Sequence, residues 1–105
     1  MDAQTKDKVE EIELEVWSTE NVDQPVPEAN WYIIRVDKEK FTVEFSCLTG
    51  REILILAGKE PPEEFELLEI LQGNEPKPVK QDQKVDFRRP GVERFVTLPL
   101  DQTDG

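Results

Sequence analysis

Histidine is absent from this 105-residue chain, and cysteine, methionine and tyrosine each occur once. Without an imidazole, Cys47 has no histidine base to make it a thioester-forming nucleophile; set among apolar neighbours, it reads instead as a small buried hydrophobe. A lone cysteine also excludes an internal disulfide. No cluster of cysteine and histidine has metal-ligand spacing, and the many carboxylates lack the Asp-x-Asp-x-Asp-Gly order of a calcium loop, so neither metal nor cofactor is expected. No apolar run is long enough to span a bilayer, and the acidic start lacks the basic region of a signal peptide, so the reading is a cytoplasmic protein with no membrane partner. Positive charge is scarce as well, with 13 basic against 24 acidic residues and a net charge of -11. Such a surface repels phosphate backbones and argues against nucleic acid as a partner. Lys77, Lys80, Lys84, Arg88 and Arg89 gather in one late loop, where they read as a solvated cluster.

What the chain does contain is a dense set of strand and helix signals between residues 31 and 99. Tyr32-Ile33-Ile34-Arg35-Val36 concentrates β-branched and aromatic residues, with Tyr32, Ile34 and Val36 on one face at the strand period of two. Phe41-Thr42-Val43-Glu44-Phe45 repeats the device, which places Phe41, Val43 and Phe45 inward. The polar residues 37–40 between them are short enough for a hairpin loop, although they lack the glycine that tight turns prefer. Next, Thr49 and Glu52 have capping-box spacing, Leu48 and Ile53 suit a hydrophobic staple, and Gly58 suits the left-handed residue that ends a helix. A buried helix of about two turns follows from these signals. Pro61-Pro62 forbids its continuation and sends the chain on in extended form. Strands are then expected over 65–71, 85–87 and 93–98, with a polar loop after Gln72-Gly73-Asn74 and a turn at Arg89-Pro90-Gly91. With the terminal tails set aside, about 70 residues remain, near the size where a single core is only marginally sufficient.

The first 30 residues carry nine acidic and two basic side chains together with Pro25 and Pro27, a composition that reads as an acidic flexible arm. Within it, Ile12-Glu13-Leu14-Glu15-Val16-Trp17 alternates like a strand with one greasy face. Two readings stand side by side: incidental alternation in a disordered arm, or a strand at 12–17 that docks on the sheet edge of a neighbouring copy or another partner through Ile12, Leu14, Val16 and Trp17. Trp31 is expected to pack over the core, whereas Trp17 suits contact with either a partner or the fold. Leu68 and Ile70 are candidate members of an exposed recognition patch, with burial of one strand face as the ordinary alternative.

The order of these elements is that of an α+β, ubiquitin-like β-grasp: two strands, a short helix, then further strands. Residues 32–99 resemble the bacterial multi-ubiquitin family of ubiquitin-like domains. The resemblance is carried by Tyr32-Ile33-Ile34-Arg35-Val36, by Thr49-Gly50-Arg51-Glu52-Ile53-Leu54 with Ala57-Gly58-Lys59, and by Glu93-Arg94-Phe95-Val96-Thr97-Leu98-Pro99. It implies a β-grasp domain over 31–99 with a tail at 100–105. It implies no enzyme but a modifier, with an E1-like activating enzyme, an E2-like conjugating enzyme and a JAB-type peptidase as partners. The chemistry would then belong to Gly105, whose lack of a side chain suits threading through a narrow active site, with Asp104 as a candidate recognition residue. The tail departs from the ubiquitin pattern, since one glycine follows Asp104 and the basic tail residues are missing. A non-covalent assembly module, docked through the N-terminal strand, is the other function class that these residues allow.

Overall fold

The structure, a computed structural model, describes residues 9–71 and 75–100. In chain order they form β1 (Val9–Glu13), α1 (Leu14–Glu20), β2 (Ala29–Val36), β3 (Glu39–Val43), β4 (Cys47–Thr49) and α2 (Gly50–Leu56). A 3-10 turn (Pro62–Glu64), β5 (Phe65–Leu71), β6 (Lys77–Val79), β7 (Lys84–Asp86) and β8 (Val92–Pro99) follow.

Strand registers fix the architecture. β2 and β3 form an antiparallel hairpin, β8 pairs in parallel with the end of β2, and β5 joins β8 and β6 in antiparallel ladders. The resulting order β3-β2-β8-β5-β6, with α2 crossing between β3 and β5, is the mixed sheet of a ubiquitin-like β-grasp. Alternation decides which side chains enter the core. Tyr32, Ile34 and Val36 are each no more than 2% exposed, and they meet Leu67, Phe95 and the α2 residues Ile53 and Leu54 in one cluster. Phe87 sits between Tyr32 and Phe95, with ring centroids 6.3 and 6.2 Å away, the second pair edge-on.

The capping box and the closing glycine expected from sequence are both present. Thr49 Oγ1 accepts the Glu52 amide and Glu52 Oε1 accepts the Thr49 amide, while Gly58 takes a φ of 78° just beyond the helix. Two further amides of the first turn are satisfied from elsewhere: Gly50 donates to the Gln83 carbonyl and Arg51 to that of Gln81, each at 3.0 Å. This docking also explains why a glycine opens the helix. A Cβ on Gly50 would stand 2.4 Å from the Lys80 carbonyl oxygen.

Several local expectations change. Asp37 takes the left-handed φ of 57° that the missing glycine would have supplied, so the hairpin turn tightens to Asp37 and Lys38; aspartate tolerates this region because its short polar side chain bonds locally. β3 ends at Val43, and Phe45, expected inward, is 62% exposed. After Pro61 the chain is not simply extended, since Pro62 opens the 3-10 turn from a position where no amide is required. Lys77–Val79, within the expected polar loop, instead forms β6, a short strand at the end of the sheet, where a proline is tolerated.

The largest correction concerns the N-terminal segment. The strand expected over 12–17 stops at Glu13 and becomes α1. Tyr32 and Ile33 have β1 on one side and β3 on the other, and Val36 has β8 and β3, so β1 and β8 lie end to end along the same edge of β2. β1 cannot continue along an edge that β8 already occupies. The chain turns helical there, burying Leu14 and Ser18 one helical turn apart. The Ser18 hydroxyl donates to the Val92 carbonyl at 2.6 Å, and Val26, fully buried, exchanges bonds with Arg88: its amide donates to the Arg88 carbonyl and its carbonyl accepts Arg88 Nε, both at 2.9 Å.

Candidate functional site

β8 carries the chain toward its C-terminal residues, and its position gives the outer sheet face its character. Phe95 points into the core, so Arg94, Val96 and Leu98 turn to the opposite side. On β5 the core side holds Leu67 and Glu69, which leaves Leu68 and Ile70 half-buried on the outer side. Leu68 stands opposite Val96 on one flank and opposite Pro78 on the other, and residues directly opposite share a face. An apolar stripe therefore runs across three strands, Pro78 to Leu68 to Val96, with Ile70 opposite Arg94 and Leu98, 45% exposed, near the rim.

Sequence reasoning named Leu68 and Ile70, and the structure puts them on one face. It offered no sign of Glu69, which is 3% exposed and forms an ion pair with Arg89. This carboxylate occupies a core position that the strand pattern reserves for an apolar residue, and the arginine in the late basic cluster compensates its charge. Arg89 is thereby a structural partner and not merely part of a solvated loop.

The end of β8 is held by a residue that sequence reasoning left inside a loop. Past Val36, β2 no longer supplies a ladder, and the Asp37 carboxylate substitutes for it. One oxygen accepts the Thr97 amide at 2.8 Å and the other accepts the Thr97 hydroxyl at 2.6 Å, while the Asp37 amide donates to the Phe95 carbonyl at 2.9 Å. Lys59 Nζ lies 3.7 Å from the same carboxylate and 5.8 Å from the centre of the Phe65 ring. On the other flank, the Leu100 amide donates to the Glu64 carbonyl at 2.8 Å. The signal that pointed to Asp37 was available: a short hairpin without glycine needs a residue that accepts a left-handed backbone. Its reach to Thr97 was not, because the two are 60 positions apart.

The N-terminal candidates divide. Ile12 and Leu14 are 5% and 1% exposed in the chain's own core, Trp17 is half-buried against that core, and Val16 remains exposed. In this conformation Ile12 and Leu14 are therefore not available to a neighbour. Asp104 and Gly105 lie outside the described residues. Cys47 is half-buried on β4, whose ladder with β7 forms a small second sheet. The hydrogen bond from Arg51 holds the Glu63 carboxyl below the usual carboxylate range. Among the described residues, no group of three or more acidic, cysteine or histidine side chains is placed to hold a metal, and no helix is long and apolar enough to cross a membrane.

No curated protein and no solved structure matches the chain. The family model described as Multiubiquitin matches residues 32–99, from the middle of β2 to the last residue of β8. β1 and α1 fall outside that match, so the segment that completes the edge of β2 is an addition to the matched region. With the strand order of a β-grasp and a match over most of its length, the chain belongs to the multiubiquitin family of ubiquitin-like domains.

Proposed function

We propose that this protein is a ubiquitin-like modifier rather than an enzyme, activated at Gly105 by an E1-like enzyme and conjugated to targets. The supporting observation is the family match across 32–99 on a sheet whose middle strand, β8, leads the chain out past an exposed Leu98 beside an apolar outer face. In this reading the Gly105 carboxylate attacks the α-phosphate of ATP and releases pyrophosphate, leaving an acyl adenylate. A cysteine thiolate of the activating enzyme then displaces AMP to give a thioester, which is passed to an E2-like enzyme. An amine on the target attacks the thioester carbonyl, forming an amide and freeing the thiol. Every catalytic group in this sequence is supplied by the partners; a JAB-type peptidase would hydrolyse the bond or trim residues that follow the glycine.

The stripe of Pro78, Leu68 and Val96 is the surface on which the activating and conjugating enzymes would rest, since an apolar face close to the reacting end lets binding energy position the carboxyl. The test is a denaturing pull-down of an N-terminally tagged chain co-expressed with such enzymes, with and without Gly105. Heavier adducts that disappear when Gly105 is removed support the modifier; adducts unaffected by its removal, or none at all, count against it.

A further inference from the structure

We propose that the small cavity between β1 and α1 holds an arginine side chain of a partner protein, stacked on Trp17 and flanked by the carboxylates of Glu11 and Glu20. The cavity measures about 220 Å³, and Val9, Ile12, Val16 and Trp17 supply its apolar lining. That is below the roughly 300–1,000 Å³ of pockets that enclose a small-molecule ligand, and it suits one long side chain. Val9 and Val16 are 41% and 46% exposed, and Trp17 is half-buried. The walls are anchored. β1 is laddered to β2, Ile12 and Leu14 are buried, and the amide and the side-chain nitrogen of Asn21 both donate to the Trp17 carbonyl, at 2.9 and 3.0 Å. A pocket already formed loses little freedom when its occupant arrives. Because β1 and α1 lie outside the matched region, the cavity belongs to the added segment and not to the β-grasp itself.

Charge selects the occupant. Two carboxylates of this segment are already matched, Glu13 by Lys40 and Glu15 by Arg35. Glu11 and Glu20, exposed at the cavity, pair with no cation among the described residues. α1 ends at Glu20 with no basic residue in its last turn, so the negative end of the helix adds to the same field. A guanidinium is planar and always charged, and it can lie on an indole face while its edge donates to carboxylates. The ammonium of lysine is more strongly hydrated and lacks that fork. Val9 and Val16 favour apolar residues on either side of the arginine. A second copy of a chain with net charge -11 is opposed by the same field. The cavity shares no residue with the outer stripe of Pro78, Leu68 and Val96, so the proposal stands independently of conjugation at Gly105.

The probe is a blocked pentapeptide with leucines on either side of a central arginine, titrated into the isotope-labelled full chain and followed by amide and indole chemical shifts. Shifts are expected over residues 9–20, with the Trp17 indole N–H among them. Citrulline in place of arginine keeps the shape and removes the charge, and it should weaken binding about tenfold or more. The double variant Glu11→Gln, Glu20→Gln should weaken it by a similar factor at an unchanged urea midpoint, since both side chains are exposed. Glu44→Gln with Glu52→Gln, the same change of net charge elsewhere on the surface, should leave affinity unchanged. The proposal is overturned if citrulline binds as well as arginine, if the Glu44 and Glu52 pair matters as much as the Glu11 and Glu20 pair, or if no shift appears up to the solubility limit of the peptide. It is also overturned if raising the protein concentration alone produces the same shifts, which would assign the cavity to a second copy. Binding that appears only in Lys6→Ala with Lys8→Ala would overturn it too, by assigning the cavity to the chain's own first residues.

Discussion

Replacing Asp37 separates a backbone effect from a hydrogen-bond effect at the point where β8 leaves the support of β2. Asp37 holds a φ of 57° and its carboxylate accepts both the amide and the hydroxyl of Thr97. A side chain without local bonding costs about 1 kcal/mol in the left-handed region. Each hydrogen bond contributes about 1 kcal/mol net. The Lys59 contact, at 3.7 Å between side chains that are 34% and 32% exposed, adds little in that setting. Asp37→Ala loses all of these and should destabilise the fold by about 3 kcal/mol, whereas Asp37→Gly relieves the backbone and should cost about 2 kcal/mol. Asp37→Asn keeps both the backbone tolerance and an acceptor for the Thr97 amide, so its cost should be near 1 kcal/mol. For a domain of this size, melting temperatures should drop by about 15, 10 and 5 °C in that order. Urea unfolding followed by the fluorescence of Trp17 and Trp31 measures the series, and amide exchange at Thr97 should accelerate in the alanine and glycine variants. Equal stability of the glycine and asparagine variants would show that the Thr97 bonds contribute nothing and would refute the reasoning.

Three other perturbations test the packing around this frame. Gly50→Ala should destabilise by about 2 kcal/mol despite the better helix propensity of alanine, because the new Cβ meets the Lys80 backbone oxygen and not a movable side chain; a rise in urea midpoint would contradict that contact. Arg89→Ala leaves Glu69 in the core without its cation and should cost about 2 kcal/mol at neutral pH, and adding Glu69→Leu should recover most of the loss in the same unfolding assay. The Arg51 bond holds the Glu63 carboxyl below the usual range, so the stabilisation it provides is present above the unfolded-state value and fades as pH falls through the lower folded-state value. A carboxyl titration should accordingly give Glu63 a midpoint that rises in Arg51→Ala; an unchanged midpoint would remove the pair as the cause.

Much of the fold is written locally. In α2, Thr49 and Glu52 satisfy each other's amides within four residues, so the start of the helix could be read without knowing what lies around it. The alternation of Tyr32, Ile34 and Val36 places them inward for a similar reason, because the strand period is a property of the backbone itself. The outer stripe was half legible: Leu68 and Ile70 stand together in sequence, but Val96 and Pro78 join Leu68 only through the register of β5 with β8 and β6.

Sequence by itself determined the β-grasp order, the capped helix, the exclusion of an internal disulfide and of histidine chemistry, and the acidic surface, since each depends on composition or on neighbours a few positions apart. Tertiary structure alone decided the fate of residues 9–30, the burial of Glu69 and the reach of Asp37. Whether Ile12 and Leu14 belong to the core depends on how much of the β2 edge β8 leaves open. Glu69 is tolerated inside because Arg89, 20 positions away, reaches it, and Asp37 holds Thr97 because parallel pairing brings the end of β8 beside the first hairpin. These contacts join residues far apart in the chain, so no local pattern announces them.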